Sequence, residues 1–193
     1  MYNEILYVQM IKEIERIVED ACKSDSNAFG YGIWTHHIIY VVKYAKQLAK
    51  KLCADPEIVE IAALLHDYAG IKDSAMAAEH HIQGAFEAER ILTGFNYPQD
   101  KIERVKDCII THRGSFPMKR LTQEAECIAS ADAMTHVFQV CSLLHLAYVR
   151  HGMGIDEGKD WVMRKIERSM SKLCPEAREM VYEHYLKVKE VLV

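Results

Sequence analysis

The chain has 193 residues, half of them hydrophobic, with 24 basic and 28 acidic side chains and a formal net charge of −4. That hydrophobic share excludes a disordered chain and suffices for the core of one domain. The acidic balance argues against a surface that coats nucleic acid, and no apolar stretch reaches the ~18 to 20 residues of a membrane span.

The opening MYNEILYVQMIKEIERIVED places apolar residues at helical spacing with acids between them, which predicts a first helix over about residues 2–23. A secretory leader needs a basic start and an unbroken apolar block, and this segment has neither. After the polar loop KSDSNAFGYG, a second helix is expected from Thr35, a candidate N-cap, to Leu52. Asp55-Pro56-Glu57 marks a third start: a capping carboxylate, proline at the first helical position, then an acid at the positive end of the dipole. A fourth helix is expected over residues 74–93, stopped by Gly94, and a fifth from Pro98 to Thr111. The loop HRGSFPMKR leads into a long sixth helix over residues 122–150, ended by Gly152 and Gly154. A seventh covers residues 156–172, and Pro175 opens an eighth. No alternating β-branched run, internal repeat or linker interrupts this series, so the reading is all-α and single-domain. Six cysteines are scattered with no CxxC pair, as expected of free thiols in a reduced, cytoplasmic protein.

Helical phase separates inward polar residues from surface ones. His37 shares its stripe with Val41, Ala45, Leu48 and Leu52, whereas His36 shares one with Tyr40, Lys43 and Gln47. His37 is therefore expected to face the core and His36 water or the rim. In AALLHDYAG, His66 follows Val59 and Ala62 on its face, and Asp67 follows Ala63 and Leu64. His112 follows Val105, Cys108 and Ile109, and Asp132 has Ile128 and Ala129 one turn before it. A lone histidine on an apolar face is usually a hydrogen-bonded core residue. Five such residues on four separate segments are harder to satisfy, because burying several carboxylates and imidazoles without a cation costs on the order of several kcal/mol each. Mixed His/Asp ligation suits Fe(II), Mn(II), Co(II), Ni(II) or Zn(II), whereas a purely oxygen set would suit Mg(II) or Ca(II), and the absence of a cysteine from the candidate ligand set argues against a structural zinc site.

With these segments in order, residues 30–150 resemble the HD-domain family of metal-dependent phosphohydrolases. Its hallmark is a His, then an adjacent His-Asp pair, then a distant Asp, matched here by His37 in THHIIYVVKYAKQLA, His66 and Asp67 in AALLHDYAG, and Asp132 in IASADAM. The resemblance implies a helical bundle whose metal-binding core is residues 30–150, flanked by helices over residues 1–23 and 155–193. A subset of the family adds two histidines that hold a second metal, and EHHIQGA and IITHRG occupy their places. His112 matches the second. For the first, a small residue four positions on favours His80 over His81. The implied set is His37, His66, Asp67, His80, His112 and Asp132, holding one or two divalent transition metals (Fe, Mn, Co or Ni, with Mg or Zn also compatible). Asp67 bridges the ions if there are two.

The resemblance implies hydrolysis of a small phosphate ester, a nucleotide or related metabolite, by metal-activated hydroxide, with Asp67 at the centre of the chemistry. Lys72, five residues after Asp67, and Arg113, directly after His112, are the cations placed best to meet phosphate, followed by Lys119 and Arg120. The loop HDYAGIKDS departs from the commoner family form, in which a glycine follows the pair closely. Family members with the same four-His, two-Asp pattern include di-iron oxygenases, and a non-catalytic ligand-binding module is a third class. His136, four residues after Asp132, is expected to support the site or pack, and His145 and His151 to stand aside. The charged runs near both ends look like solvated faces, with apolar stripes that cap the bundle or join a homodimer. No membrane or nucleic-acid partner is expected.

Overall fold

The computed structural model describes residues 4–113 and 119–192, so residues 2 and 3 of the expected first helix and residues 114–118 of the HRGSFPMKR loop lie outside the described residues. Among the described residues there is no strand. The helices are α1 (Glu4–Lys23), α2 (Ile39–Leu52), α3 (Pro56–Leu65), α4 (Tyr68–Lys72), α5 (His80–Gly94), α6 (Gln99–Thr111), α7 (Gln123–Phe138), α8 (Val140–His145), α9 (Ile155–Ser171) and α10 (Pro175–Leu192). The apolar faces of these helices join in one core cluster. α7 lies at its middle, packed on α2, α3, α6, α9 and α10, and most of its residues are buried.

Asp55 caps α3 as its sequence requires, accepting from the Glu57 amide at 3.0 Å. Thr122 caps α7 in the same way through the Ala125 amide. Thr35, by contrast, is no cap. The second helix is already under way at residues 32 and 33, and Trp34–Ile38 form a π-helical turn that runs into α2. The Thr35 hydroxyl pairs with His36 Nδ1 at 2.7 Å instead. Such a widened turn shifts the phase of the residues that follow, and π turns concentrate at functional sites. The expected fourth helix is also divided: Ser74–Glu79 form a 3₁₀ turn capped by Asp73, and α5 begins only at His80. α4, absent from the sequence reading, fills the space between.

The long sixth helix does not run straight. It stops at Phe138, and the segment Val140–Arg150 leaves at 75°. No proline or glycine causes the break; Gln139 adopts φ −110° and ψ 42°, and its carbonyl accepts from both the amide and the hydroxyl of Ser142 at 2.8 Å. No single helix among the described residues is long and apolar enough to cross a membrane. All six cysteines are free, four of them buried.

Two close approaches set the geometry around the later site. A Cβ on Gly84 of α5 would stand 3.1 Å from Ile109 Cγ2 and 3.5 Å from the His66 carbonyl, so this glycine lets α5 pack against α6 and the end of α3. Gly158 on α9 faces the Tyr148 ring so closely that a Cβ would overlap it. Gly158→Ala should therefore destabilise the fold by ~1–3 kcal/mol through overpacking. Gly94→Ala, at a helix end with open space around it, should be neutral or stabilising by up to about 1 kcal/mol. Urea unfolding of the two variants checks the contrast, and equal effects would show that the Tyr148 ring yields freely.

Candidate metal centre

Five breaks in helical regularity deliver the polar cluster. His37 comes from the π turn, His66 from the end of α3, Asp67 from the link to α4, His80 from the first turn of α5, and His112 from the position just past α6. Asp132 alone sits within a regular helix, α7. Asp67 has φ −106° and ψ 0°, a sparsely populated conformation that turns its carboxylate back over the end of α3. His37, His66, His112 and Asp132 are buried, as helical phase predicts, and His36 is exposed.

The donors form two groups that meet on Asp67. Asp67 Oδ2 lies 3.4 Å from His37 Nε2 and 3.3 Å from His66 Nε2, while Oδ1 lies 3.3 Å from His80 Nε2 and 3.6 Å from His112 Nε2. Asp132 Oδ1 stands 3.6 Å from His37 Nε2. Within His37, His66 and Asp132, and within Asp67, His80 and His112, the candidate ligand atoms all lie inside 4.8 Å of one another. His81 is buried beside Arg113 and belongs to neither group.

The residues fit a cation. His66 Nδ1 donates to the Ala63 carbonyl at 2.8 Å, His80 Nδ1 to Ala77 at 2.9 Å, and His112 Nδ1 to Ile109 at 2.6 Å. A carbonyl only accepts, so each Nδ1 carries a proton and each neutral ring turns its Nε2 lone pair inward. The inward atoms then face each other, at 3.3 Å between His37 and His66 and 3.2 Å between His80 and His112. Lone pairs opposed at such distances repel unless a positive charge lies between them.

Protons compete for those positions. Burial disfavours a charged His66, but the Asp67 and Asp132 carboxylates outweigh it and push its pKa up to about 9. Burial also opposes the charge on Asp67, yet the imidazoles of His66, His112 and His37 hold it well below the usual carboxylate range. Asp132 is held low against burial by the Lys172 ammonium and by His136 and His37. Burial pulls His112 down, and burial with the nearby Lys165 charge pulls His136 down further.

The cluster opens into a cleft of about 440 Å³. Arg113 lines it, bonded to the Ala78 carbonyl. Lys72 does not: its ammonium turns outward to Glu87 at 2.9 Å, because α4 carries it past Asp67 onto the α5 side. Arg120 is likewise taken up by Glu126 and by the Lys172 carbonyl, and Lys119 is exposed. The expectation that the charges of residues 156–172 decorate a solvated face is corrected. Lys165, Arg168 and Lys172 all line the cleft, and Lys172 Nζ donates to Asp132 Oδ2 at 2.6 Å. Ser169 donates its hydroxyl proton to the Lys165 carbonyl and accepts from His136 Nδ1 at 3.0 Å, which leaves His136 Nε2 facing Asp132 Oδ1 at 3.5 Å. The missed signal was spacing: Lys165, Arg168 and Lys172 recur at i, i+3 and i+7 beside the buried stripe Val162, Ile166 and Ser169.

The HD domain family model matches residues 34–137, more than half of the chain, and the chain belongs to this family. Among solved structures it is similar to Bacillus subtilis YpgQ at 21% identity and a TM-score of 0.72, over 96% of this chain and 93% of that one. YpgQ in complex with ADP gives 20% identity and a TM-score of 0.66, over 94% of this chain and 93% of that one. A predicted HD superfamily hydrolase from an uncultured Thermotogales bacterium gives 22% and 0.61, over 94% and 88%. At these identities the likeness is one of fold. No curated protein matches the chain significantly.

HD domains bind divalent metals, and this His/Asp cluster is of the kind that holds them. Mn(II) added to metal-stripped protein should raise the melting temperature and release protons at pH 7. A pKa of about 9 leaves His66 charged at that pH, so an arriving cation displaces its proton, and affinity falls as pH drops below 9. Calorimetry in two buffers of different ionisation enthalpy reads the proton release directly. An unchanged melting temperature with no proton release would count against the cluster as a metal centre.

Proposed function

We propose that this HD-domain protein is a metal-dependent phosphohydrolase acting on a small phosphate ester, with nucleotides the first class to test. The observation that carries the reading is the division of two donor groups across the two oxygens of Asp67, inside a cleft walled by cations. In this reading His37, His66, Asp67 and Asp132 hold one divalent ion, and Asp67, His80 and His112 hold a second. The imidazole–carboxylate set suits Mn(II), Fe(II), Co(II) or Ni(II). When bound there, such a metal would supply a water of lowered pKa, near ~7, and polarisation of a phosphoryl oxygen.

The chain's own groups supply the rest. The carbonyl bonds at Ala63, Ala77 and Ile109 lock three imidazole tautomers. Lys172 holds Asp132 in place. Arg113, Lys165 and Arg168 offer positive charge to the oxygens of a phosphoryl group as its charge spreads in the transition state. The ADP bound by YpgQ, which shares the fold, supports a nucleotide as ligand. The cationic wall also favours this reading over an oxygenase, because an uncharged hydroxylated substrate leaves these charges without a counter-charge.

His37→Ala should remove metal and abolish turnover, while exposed His36→Ala should keep both. His80→Ala and His112→Ala should each lower the metal content by about one ion per chain, and Asp67→Asn should do worse than either because its carboxylate faces both groups. The measurement is metal analysis of each variant beside release of inorganic phosphate from a panel of nucleotides and sugar phosphates. A metal count unchanged in both His80→Ala and His112→Ala would reduce the site to one ion. Full metal content with no phosphate released from any ester would sink the hydrolase reading in favour of a binding module.

A further inference from the structure

Two clefts meet over the metal centre, and their walls differ in chemistry. The cleft of about 440 Å³ carries Arg113, Lys165, Arg168 and Lys172. The other, about 490 Å³, is walled by Ile33, Leu143 and Leu146, with His36, Ser142 and His145 adding polar edges. Phe29, Asp67, His136 and Lys165 line both, so Lys165 stands at the junction and, among the described residues, is the one Lys or Arg that reaches the second cleft.

Lys165 also differs from Lys172 and Arg113 in what it touches. Lys172 is paired with Asp132, and Arg113 bonds the Ala78 carbonyl. Among the described residues, the Lys165 ammonium forms no hydrogen bond and no ion pair. Burial pulls its pKa below the usual lysine range, and repulsion from Lys172 and Arg168 adds to this against the attraction of Asp132 and Asp67. A cation withdrawn from water among like charges is unfavourable until an anion joins it.

We infer that Lys165 is the specificity-determining contact of the site, holding a substrate phosphate at the junction, with the phosphates running along Lys165 and Arg168 and an uncharged, flat or apolar end lying in the Ile33–Leu143–Leu146 cleft. The substrate class is then a phosphorylated heterocycle such as a nucleotide, oriented by charge on one side and apolar surface on the other. The inference rests on the phosphohydrolase reading for its substrate, but it is tested by binding and metal content, without turnover.

The probes are inorganic pyrophosphate and ADP, titrated into the Mn(II)-loaded protein. Lys165→Met should weaken both by about 10- to 100-fold, the scale of one charge-assisted hydrogen bond, with metal content unchanged. Lys165→Arg, which keeps the charge, should restore most of that loss. Leu143→Trp, which fills the second cleft, should weaken ADP while leaving pyrophosphate at its original affinity. Lys165→Met should also raise the melting temperature of the metal-free protein, since it removes a desolvated charge. Pyrophosphate bound equally well by Lys165→Met, or by neither the parent nor the variant, would overturn the inference. So would a lowered melting temperature with ligand binding intact, which would mark Lys165 as structural. If the binding pattern holds while no ester is cleaved, the inference stands and the phosphohydrolase reading falls.

Discussion

One carboxylate organises this protein. Asp67 presents an oxygen to each of two imidazole pairs, and those pairs come from segments as far apart in sequence as His37 and His112. None of the four histidines can turn away, because three are anchored by Nδ1 to the carbonyl of their own preceding turn and the fourth, His37, is buried. An array of inward lone pairs about a carboxylate is unfavourable in an apolar core unless positive charge fills it, as protons or as a divalent cation that displaces them. The fold therefore carries a local destabilisation that a ligand relieves, a common arrangement where binding matters more than stability.

The backbone makes room for that array at the ends and irregularities of its helices. A regular helix presents a given face only every third or fourth residue, so no two adjacent positions share a direction. The adjacent pair His66 and Asp67 can converge on one centre because α3 ends between them and Asp67 leaves helical geometry. The π turn over Trp34–Ile38, the 3₁₀ turn before His80 and the end of α6 at Thr111 serve the same purpose for their histidines. Gly84 completes the arrangement by letting α5 close on the His66 carbonyl.

Much of this was legible in the sequence. Helical phase separated His37 from His36 because the π turn lies before most of the stripe that runs through Val41, Ala45 and Leu48, and leaves its register intact. The Asp55-Pro56-Glu57 start was readable because capping is a local interaction. The break at Gln139 was not, because nothing in its side chain forbids a helix, and the bend depends on Ser142 bonds that form only once the turn exists. The placement of Lys72 outside the cleft was not legible for a related reason: distance along the chain from Asp67 says nothing about direction once α4 intervenes.

The α9 cations carry the larger lesson. Periodicity alone cannot distinguish a charged face turned to water from one turned toward a cleft, since both read as polar residues beside an apolar stripe. What decides is the neighbour, and here the neighbour is the Asp132 end of the His/Asp cluster. Lys172 reaches Asp132, Ser169 reaches His136, and Gly158 lets the helix seat against Tyr148 near its other end. α9 lies outside the segment matched by the family model, which ends at residue 137. The donor cluster and most of its charged wall, Arg113 excepted, thus come from different parts of the chain. A shared core can keep its metal chemistry while an outer helix sets the charge, and so the ligand, that the cleft accepts.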